Sequence, residues 1–308
     1  MFDIVGIGGS FHDILLLMDR FPIENTKNNP LREIIHQGGG PVATGLCAAS
    51  RLGASCALMT PLADDDGADF MKKEYAKDNV DITYSPIRPN TTTNTCYIIV
   101  NKDSGNRTIC GKGGTVGRLT DEDINFDLIK SAKVLMLDGS SGTEVGVTAA
   151  KFARENGVKV MLDSESPSPG MLAIMEHTDF LITSEGCMYE YGKSEDIEVC
   201  LKNAFKRGKH DIVIATLGNM GGAAFDGETY FEYPIFPSEV VDTNGCGDVF
   251  HGAFAYGYIK GWSYNKICHF ASGVSSMKCM KLGGRSGIPT MPQLIEWLTT
   301  YYNLDEHE

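Results

Sequence analysis

The 308-residue chain has little of what nucleic-acid binding, membrane insertion or a disulfide framework requires. Acidic residues outnumber basic ones, 40 to 27, for a net charge of −13, so the clustered Lys and Arg that neutralise nucleic-acid phosphates are missing. No apolar run approaches the about 20 residues that a membrane-spanning helix needs. No basic segment with a cleavage site precedes the first apolar run, so secretion is not expected. Cys-x-x-Cys pairs and Cys/His metal spacings are absent. The nine cysteines, Cys47, Cys56, Cys96, Cys110, Cys187, Cys200, Cys246, Cys268 and Cys279, are scattered, as suits a reducing cytoplasm. No Pro/Ser-rich linker, internal repeat or low-complexity stretch divides the chain, so one domain over 1–308 is expected, its core drawn from 42% hydrophobic residues. These absences leave a small soluble molecule as the expected partner, with neither nucleic acid nor membrane.

What is present is alternation. Apolar runs of strand type recur at 3–6, 56–60, 134–137, 158–163, 180–183 and 212–217. Helical patterns lie between most of them, at 42–52, 70–77, 124–130 behind a Thr120-x-x-Asp123 capping box, 144–155 and 195–207. This order predicts an α/β fold with a mostly parallel sheet covered on both faces. Segments 14–18 with 32–36, and 95–100 with 107–110 around the turn Asp103-Ser104-Gly105-Asn106, read instead as short antiparallel strands. Inserted after the first and third strand–helix units, within about 13–37 and 92–112, they could pair as a small sheet that covers one end of the main one as a lid. A further hairpin is expected over 222–233, turning at Asp226-Gly227, and the last third is nearly all helix.

The run Val241-Asp242-Thr243-Asn244-Gly245-Cys246-Gly247-Asp248 leads into a small-residue helical stretch, 249–257. Gly245 and Gly247 bracket one residue, so the backbone can turn sharply and aim the N–H groups of Gly245, Cys246 and Gly247 at one point where a helix begins. Such a point attracts phosphate. Asp248, in the first helical turn, is favoured in its ionised form and could take a proton from a hydroxyl beside that anion. Phosphoryl transfer to an alcohol is the suggested chemistry, although a glycine turn with Asp at a helix start also opens many ordinary helices. Cys246, between the glycines, is expected to have a lowered thiol pKa.

This segment resembles the signature of the ribokinase-type (PfkB) carbohydrate kinases, Asp-Thr-x-Gly-x-Gly-Asp followed by a helix, at every fixed position. Other motifs follow in the family's order between Gly8 and Pro289. Gln37-Gly38-Gly39-Gly40-Pro41 opens a helix that closes on Arg51-Leu52-Gly53-Ala54, similar to the family's Gly-Gly pair and x-Leu-Gly-Ala ending. Thr216-Leu217-Gly218-Asn219-Met220-Gly221-Gly222 resembles its Thr-x-Gly-x-x-Gly element. The resemblance implies a three-layer α/β/α ribokinase-like fold with a β lid, and a kinase that uses ATP and Mg2+.

It further implies Asp248 as general base, with Gly245, Cys246 and Gly247 around the transferring phosphoryl group. Asp13, Gly39, Gly40, Thr44 and Asp138 would face the sugar, and Thr216, Gly218, Gly221, Ser272, Cys279 and Gly284 the nucleotide. Each has a plain alternative: a solvated turn Asp at Asp13, a strand-end turn at Asp138, a tight connection at 216–222. Asn is common in the family where this chain has Thr44, so the sugar is expected to differ from ribose. Asn106-Arg107-Thr108-Ile109 is similar to ketohexokinase-like sequences; Arg107 would grip an anionic substrate group or be a solvated lid charge.

Two ions are implied as well. The family's Asn-x-x-Glu magnesium element is replaced by Ser184-Glu185-Gly186-Cys187, which leaves Glu185 as a shifted ligand or the ATP phosphates as the main holders. In some relatives the loop 283–289 and the residue matching Asp242 hold K+. A fructose-like ketose or an acidic sugar such as 6-deoxy-6-sulfofructose is the leading substrate, and a homodimer through the lid is implied. A nucleoside kinase and a silent sugar or nucleotide sensor remain alternatives. A dehydrogenase reading rests only on Gly6-Ile7-Gly8-Gly9-Ser10, where Phe11 stands in place of the third glycine. His12, His36 and His251 are assigned no role.

Overall fold

The structure, a computed structural model, describes residues 1–27, 29–103 and 105–301. The chain begins with β1 (Ile4–Ile7), the pair β2 (Phe11–Met18) and β3 (Glu33–Gly39), and α1 (Pro41–Leu52). After β4 (Cys56–Met59), α2 (Asp66–Lys77) and β5 (Val80–Asp81) come β6 (Asn94–Asn101) and β7 (Arg107–Lys112). From α3 (Phe126–Lys130) helices and strands alternate: β8 (Val134–Asp138), α4 (Thr143–Glu155), β9 (Lys159–Ser164), α5 (Pro169–Met175), β10 (Phe180–Ser184), α6 (Glu185–Gly192), α7 (Ile197–Arg207) and β11 (Ile212–Thr216). The hairpin β12 (Gly222–Phe225) and β13 (Tyr230–Tyr233) precedes α8 (Cys246–Ile259), α9 (Tyr264–Lys278) and α10 (Met291–Tyr301).

Nine strands form the main sheet in the order β13-β12-β11-β10-β9-β8-β1-β4-β5, parallel except at the β12–β13 edge. The central strands are apolar throughout because both faces are covered. Their side chains divide with period two: Ile4, Leu58, Val134 and Ile214 join the core beneath α1, α8 and α9, whereas Val5, Ile7, Leu135 and Val213 join the core beneath α4 and α7. The expected three-layer α/β/α architecture is therefore present.

The second sheet, β3-β2-β6-β7, contains both expected antiparallel hairpins and differs from expectation in where the first one enters the chain. Its central pair, β2 with β6, is parallel, which joins two antiparallel hairpins side by side. Its first hairpin enters between β1 and α1, so β1 leads to a strand and not to the helix that a dinucleotide fold requires. Of the turn expected at 103–106, Ser104 lies outside the described residues. Two helix starts also differ. α2 begins four residues early because Asp65 accepts from the Ala68 N–H and the Thr93 hydroxyl, fixing an N-cap within a polar run. The Thr120/Asp123 capping box closes a separate 3₁₀ turn, and Asn125 caps α3.

Candidate active site

The N-termini of α1 and α8 open side by side at the carboxyl ends of the main strands, where open α/β sheets hold ligands. At α8 the backbone at Gly245 is left-handed (φ 78°), and a Cβ there would lie 2.9 Å from Gly284 O, so the turn requires glycine. A Cβ on Gly247 would meet nothing, because that face of the helix opening looks into a cleft. At α1, Gly40 (φ 102°) presses on the Gly9 carbonyl and Pro41 fills the first helical position.

Two clefts meet at this place. One, of about 300 Å³, lies between the main sheet and the inner face of the small sheet and is lined by Asp13, Gly39, Gly40, Thr44, Asp248, Asp163 and Glu165, among others. The other, of about 390 Å³, carries Gly218, Gly221, Ser272 and Cys279 with the apolar Ile235 and Val240. Thr243, Cys246 and Gly247 belong to both, as do Thr216 and Arg107. The Arg107 guanidinium donates to Thr243 Oγ1 at 3.0 Å, bridging the small sheet to the glycine turn.

The carboxylates differ in setting. Burial, with the nearby Asp163 charge added, pushes Asp248 up to about 7. Burial likewise raises Asp13 to about 7 against the opposing Arg285 charge, and a Cβ on Gly39 would run into its carboxylate. Asp138, raised to about 6 by burial, accepts from the Val42 N–H at 3.2 Å and from the Ser140 N–H at 2.7 Å. It lines a neighbouring cavity with Arg118, not the cleft that holds Asp248.

Several expected residues sit elsewhere. Gly284, expected at the nucleotide, lines the first cleft. Glu185 opens α6 but lines neither cleft. The Asp163-Ser164-Glu165 end of β9 lines the first cleft in its stead, and no motif had marked it. Among the described residues no group of three or more His, Cys, Asp or Glu is arranged to hold a metal. Cys246 is not acidified: its thiol is pushed well above the ordinary value by donation to Cys279 and by burial, while Cys279, receiving that bond, is lowered.

Arg285, in the loop 283–289 that resemblance placed at potassium, makes contacts that resemblance did not indicate. It is buried and runs beneath the start of α1, with Nε donating to Thr44 Oγ1 at 3.2 Å and Nη2 to Gly39 O at 2.9 Å. His251 packs its buried ring with Nδ1 2.8 Å from Gly247 O and 3.6 Å from Asp163 Oδ2. Asp242 is buried and its carboxylate is taken by two backbone donors, Asn244 N–H and Gly283 N–H, each at 2.8 Å.

Residues 3–291 match the sequence profile of the pfkB family carbohydrate kinases. The chain is 29% identical over 169 residues to ribokinase of Lactococcus lactis (55% of each chain). It is 29% identical over 307 residues to the bifunctional ribokinase/ribose-5-phosphate isomerase A of Fructilactobacillus sanfranciscensis, covering 95% of this chain and 55% of that one. It therefore spans about half the length of these two relatives. With ketohexokinase of Mus musculus it shares 25% identity over 296 residues, 92% of this chain and 98% of that one. Two solved structures share the fold: Arabidopsis thaliana ribokinase complexed with ribose and ATP (22% identity, TM-score 0.83, 96% and 98% covered), and an E. coli protein in complex with ATP and Mg2+ (19%, 0.85, 97% and 100%).

Proposed function

The chain belongs to the pfkB family of carbohydrate kinases, and from that premise we propose that it transfers the γ-phosphoryl group of Mg·ATP to a sugar hydroxyl, with Asp248 as general base. The observation that carries this reading is the meeting of two clefts at Thr243, Cys246 and Gly247, with Asp248 exposed to only one of them. ATP enters the cleft of Gly218, Gly221, Ser272 and Cys279, and the sugar enters the cleft of Asp13, Gly39, Gly40 and Thr44.

The Asp248 carboxylate accepts the hydroxyl proton as the sugar oxygen attacks the γ-phosphorus. The bond from that phosphorus to the β–γ bridging oxygen breaks and ADP leaves. N–H groups of Gly245 and Gly247 face the charge that spreads over the transferring oxygens, while the Cys246 N–H closes the turn onto Thr243 O at 3.3 Å. Arg107, hydrogen-bonded to Thr243 at the junction, adds a cation there, which favours a role on the phosphoryl group over the substrate anion that sequence resemblance implied. Asp163 and Glu165, which line this cleft, would hold magnesium through water, and the ion would screen the phosphate charge.

The small sheet acts as a lid, closing over the sugar with Asp13, Cys96, Ile98, Arg107 and Ile109 on its inner face. Its outer face, with Ile34 and Tyr97 exposed, pairs with a second subunit, and the enzyme works in the cytoplasm. No helix of the described residues is long and apolar enough to cross a membrane. The substrate is a fructose-like ketose or an acidic sugar, since Thr44 offers a hydroxyl already engaged by Arg285. ADP release from Mg·ATP across ketoses, aldoses, acidic sugars and nucleosides tests this. Turnover on a ketose supports it, turnover on nucleosides alone replaces the substrate class, and ATP binding without any turnover indicates a sensor.

A further inference from the structure

The potassium ion that resemblance implied at Asp242 fits this chain poorly, because the ammonium group of Lys278 already bonds the carbonyl oxygens of the 242–244 turn. Lys278 is the last residue of α9 and is fully buried. Its Nζ donates to the carbonyl oxygen of Asp242 at 3.0 Å and to the carbonyl oxygen of Asn244, and lies 3.9 Å from Cys246 Sγ. These three residues alternate along the turn that leads into α8. Both oxygens of the Asp242 carboxylate already accept a backbone N–H, from Asn244 and Gly283.

A buried cation is costly unless its hydrogen bonds are met and a negative potential surrounds it. Two turn carbonyls supply the bonds, and the C-terminal end of α9 supplies the potential. In return the ammonium draws the carbonyl oxygens of residues 242 and 244 to one side of the turn. We infer that Lys278 is a tethered monovalent cation: a positioning residue that holds the 242–247 turn in its anion-binding shape and makes phosphoryl transfer indifferent to potassium. The inference rests on the reading of Gly245, Cys246 and Gly247 as the phosphoryl site.

The test compares wild type, Lys278→Ala and Lys278→Met in choline, sodium, potassium and ammonium chlorides at equal ionic strength, by ADP release and by melting temperature. Wild type is expected to turn over equally in all four salts, within about twofold, and to melt at the same temperature. Lys278→Ala should lose about tenfold or more in kcat in choline with a smaller change in KM for ATP, and potassium or ammonium should restore most of it and raise its melting temperature. Lys278→Met, which fills the volume without charge, should be slow in every salt. Potassium-stimulated wild type, full activity of Lys278→Met, or a folded Lys278→Ala that no cation rescues would each overturn the inference. If Lys278→Ala does not fold, wild type and Lys278→Met still decide it. Should the chain show no turnover at all, the kinase reading fails, while potassium-selective stabilisation of Lys278→Ala over wild type still reports the cation site.

Discussion

Gly45 of α1 and Gly252 of α8 pack backbone to backbone: a Cβ on Gly252 would run into the Gly45 carbonyl, and one on Gly45 would lie 3.0 Å from Asp248 O. This contact sets the two helix N-termini, and hence Gly39-Gly40 and the 243–247 turn, next to each other. In an open helix Gly→Ala stabilises by up to about 1 kcal/mol. Overpacking costs about 1–3 kcal/mol. Gly252→Ala is therefore expected to lower stability in urea titrations and to slow turnover, and a stabilised, fully active variant would show that the contact is loose.

The raised carboxylates make pH dependence informative. Asp248 must be ionised to act as base, so kcat/KM should fall as pH drops through about 7. Asp163→Asn removes the like charge beside it and should move that acid limb to lower pH; an unmoved limb would mean that another group titrates. For the ligand-free protein, Asp13 and Asp248 (about 7) and Asp138 (about 6) all hold protons more tightly folded than at the ordinary 3.8. Their contribution to stability is complete below 3.8 and is lost as pH rises through 6 to 7. Melting temperature should accordingly be lower at mildly alkaline than at mildly acidic pH, with the difference reduced in Asp13→Asn.

Arg107 gives a second kinetic distinction. If it serves the transferring phosphoryl group, Arg107→Ala lowers kcat by about tenfold or more with little change in KM for the sugar. A raised KM confined to acidic sugars would return it to the substrate-anion role.

Cys246 and Cys279 line the second cleft; the bond from Cys246 lowers the Cys279 thiol, while that bond and burial raise Cys246. Iodoacetamide should modify Cys279 in preference to Cys246, and Mg·ATP should protect it, while the exposed Cys110 reacts regardless. Peptide mass mapping reads all three. An adduct on Cys246 alone, or one that ATP does not prevent, would contradict this arrangement.

Features that act locally were legible in the chain. Apolar runs that are buried on both faces announced the parallel strands, and Gly245-Cys246-Gly247-Asp248 announced a helix start. What escaped depends on distant partners. Arg285 serves Thr44 and Gly39, which lie 241 and 246 residues away. Asp163 and Glu165 follow an ordinary apolar strand, and only the fold turns that strand end toward Asp248. Cys246 sits where a helix N-terminus would acidify it, but donation to Cys279 and burial outweigh that field.

On the proposed reading, Asp248 takes the sugar proton beside an anion site shared by both clefts. ADP release by wild type and Asp248→Asn, on the best sugar of the panel, measures this most directly. Asp248→Asn should lose about 10² to 10⁴ in kcat, with ATP binding and melting temperature largely retained. An Asp248→Asn enzyme that keeps more than about a tenth of wild-type turnover would contradict it.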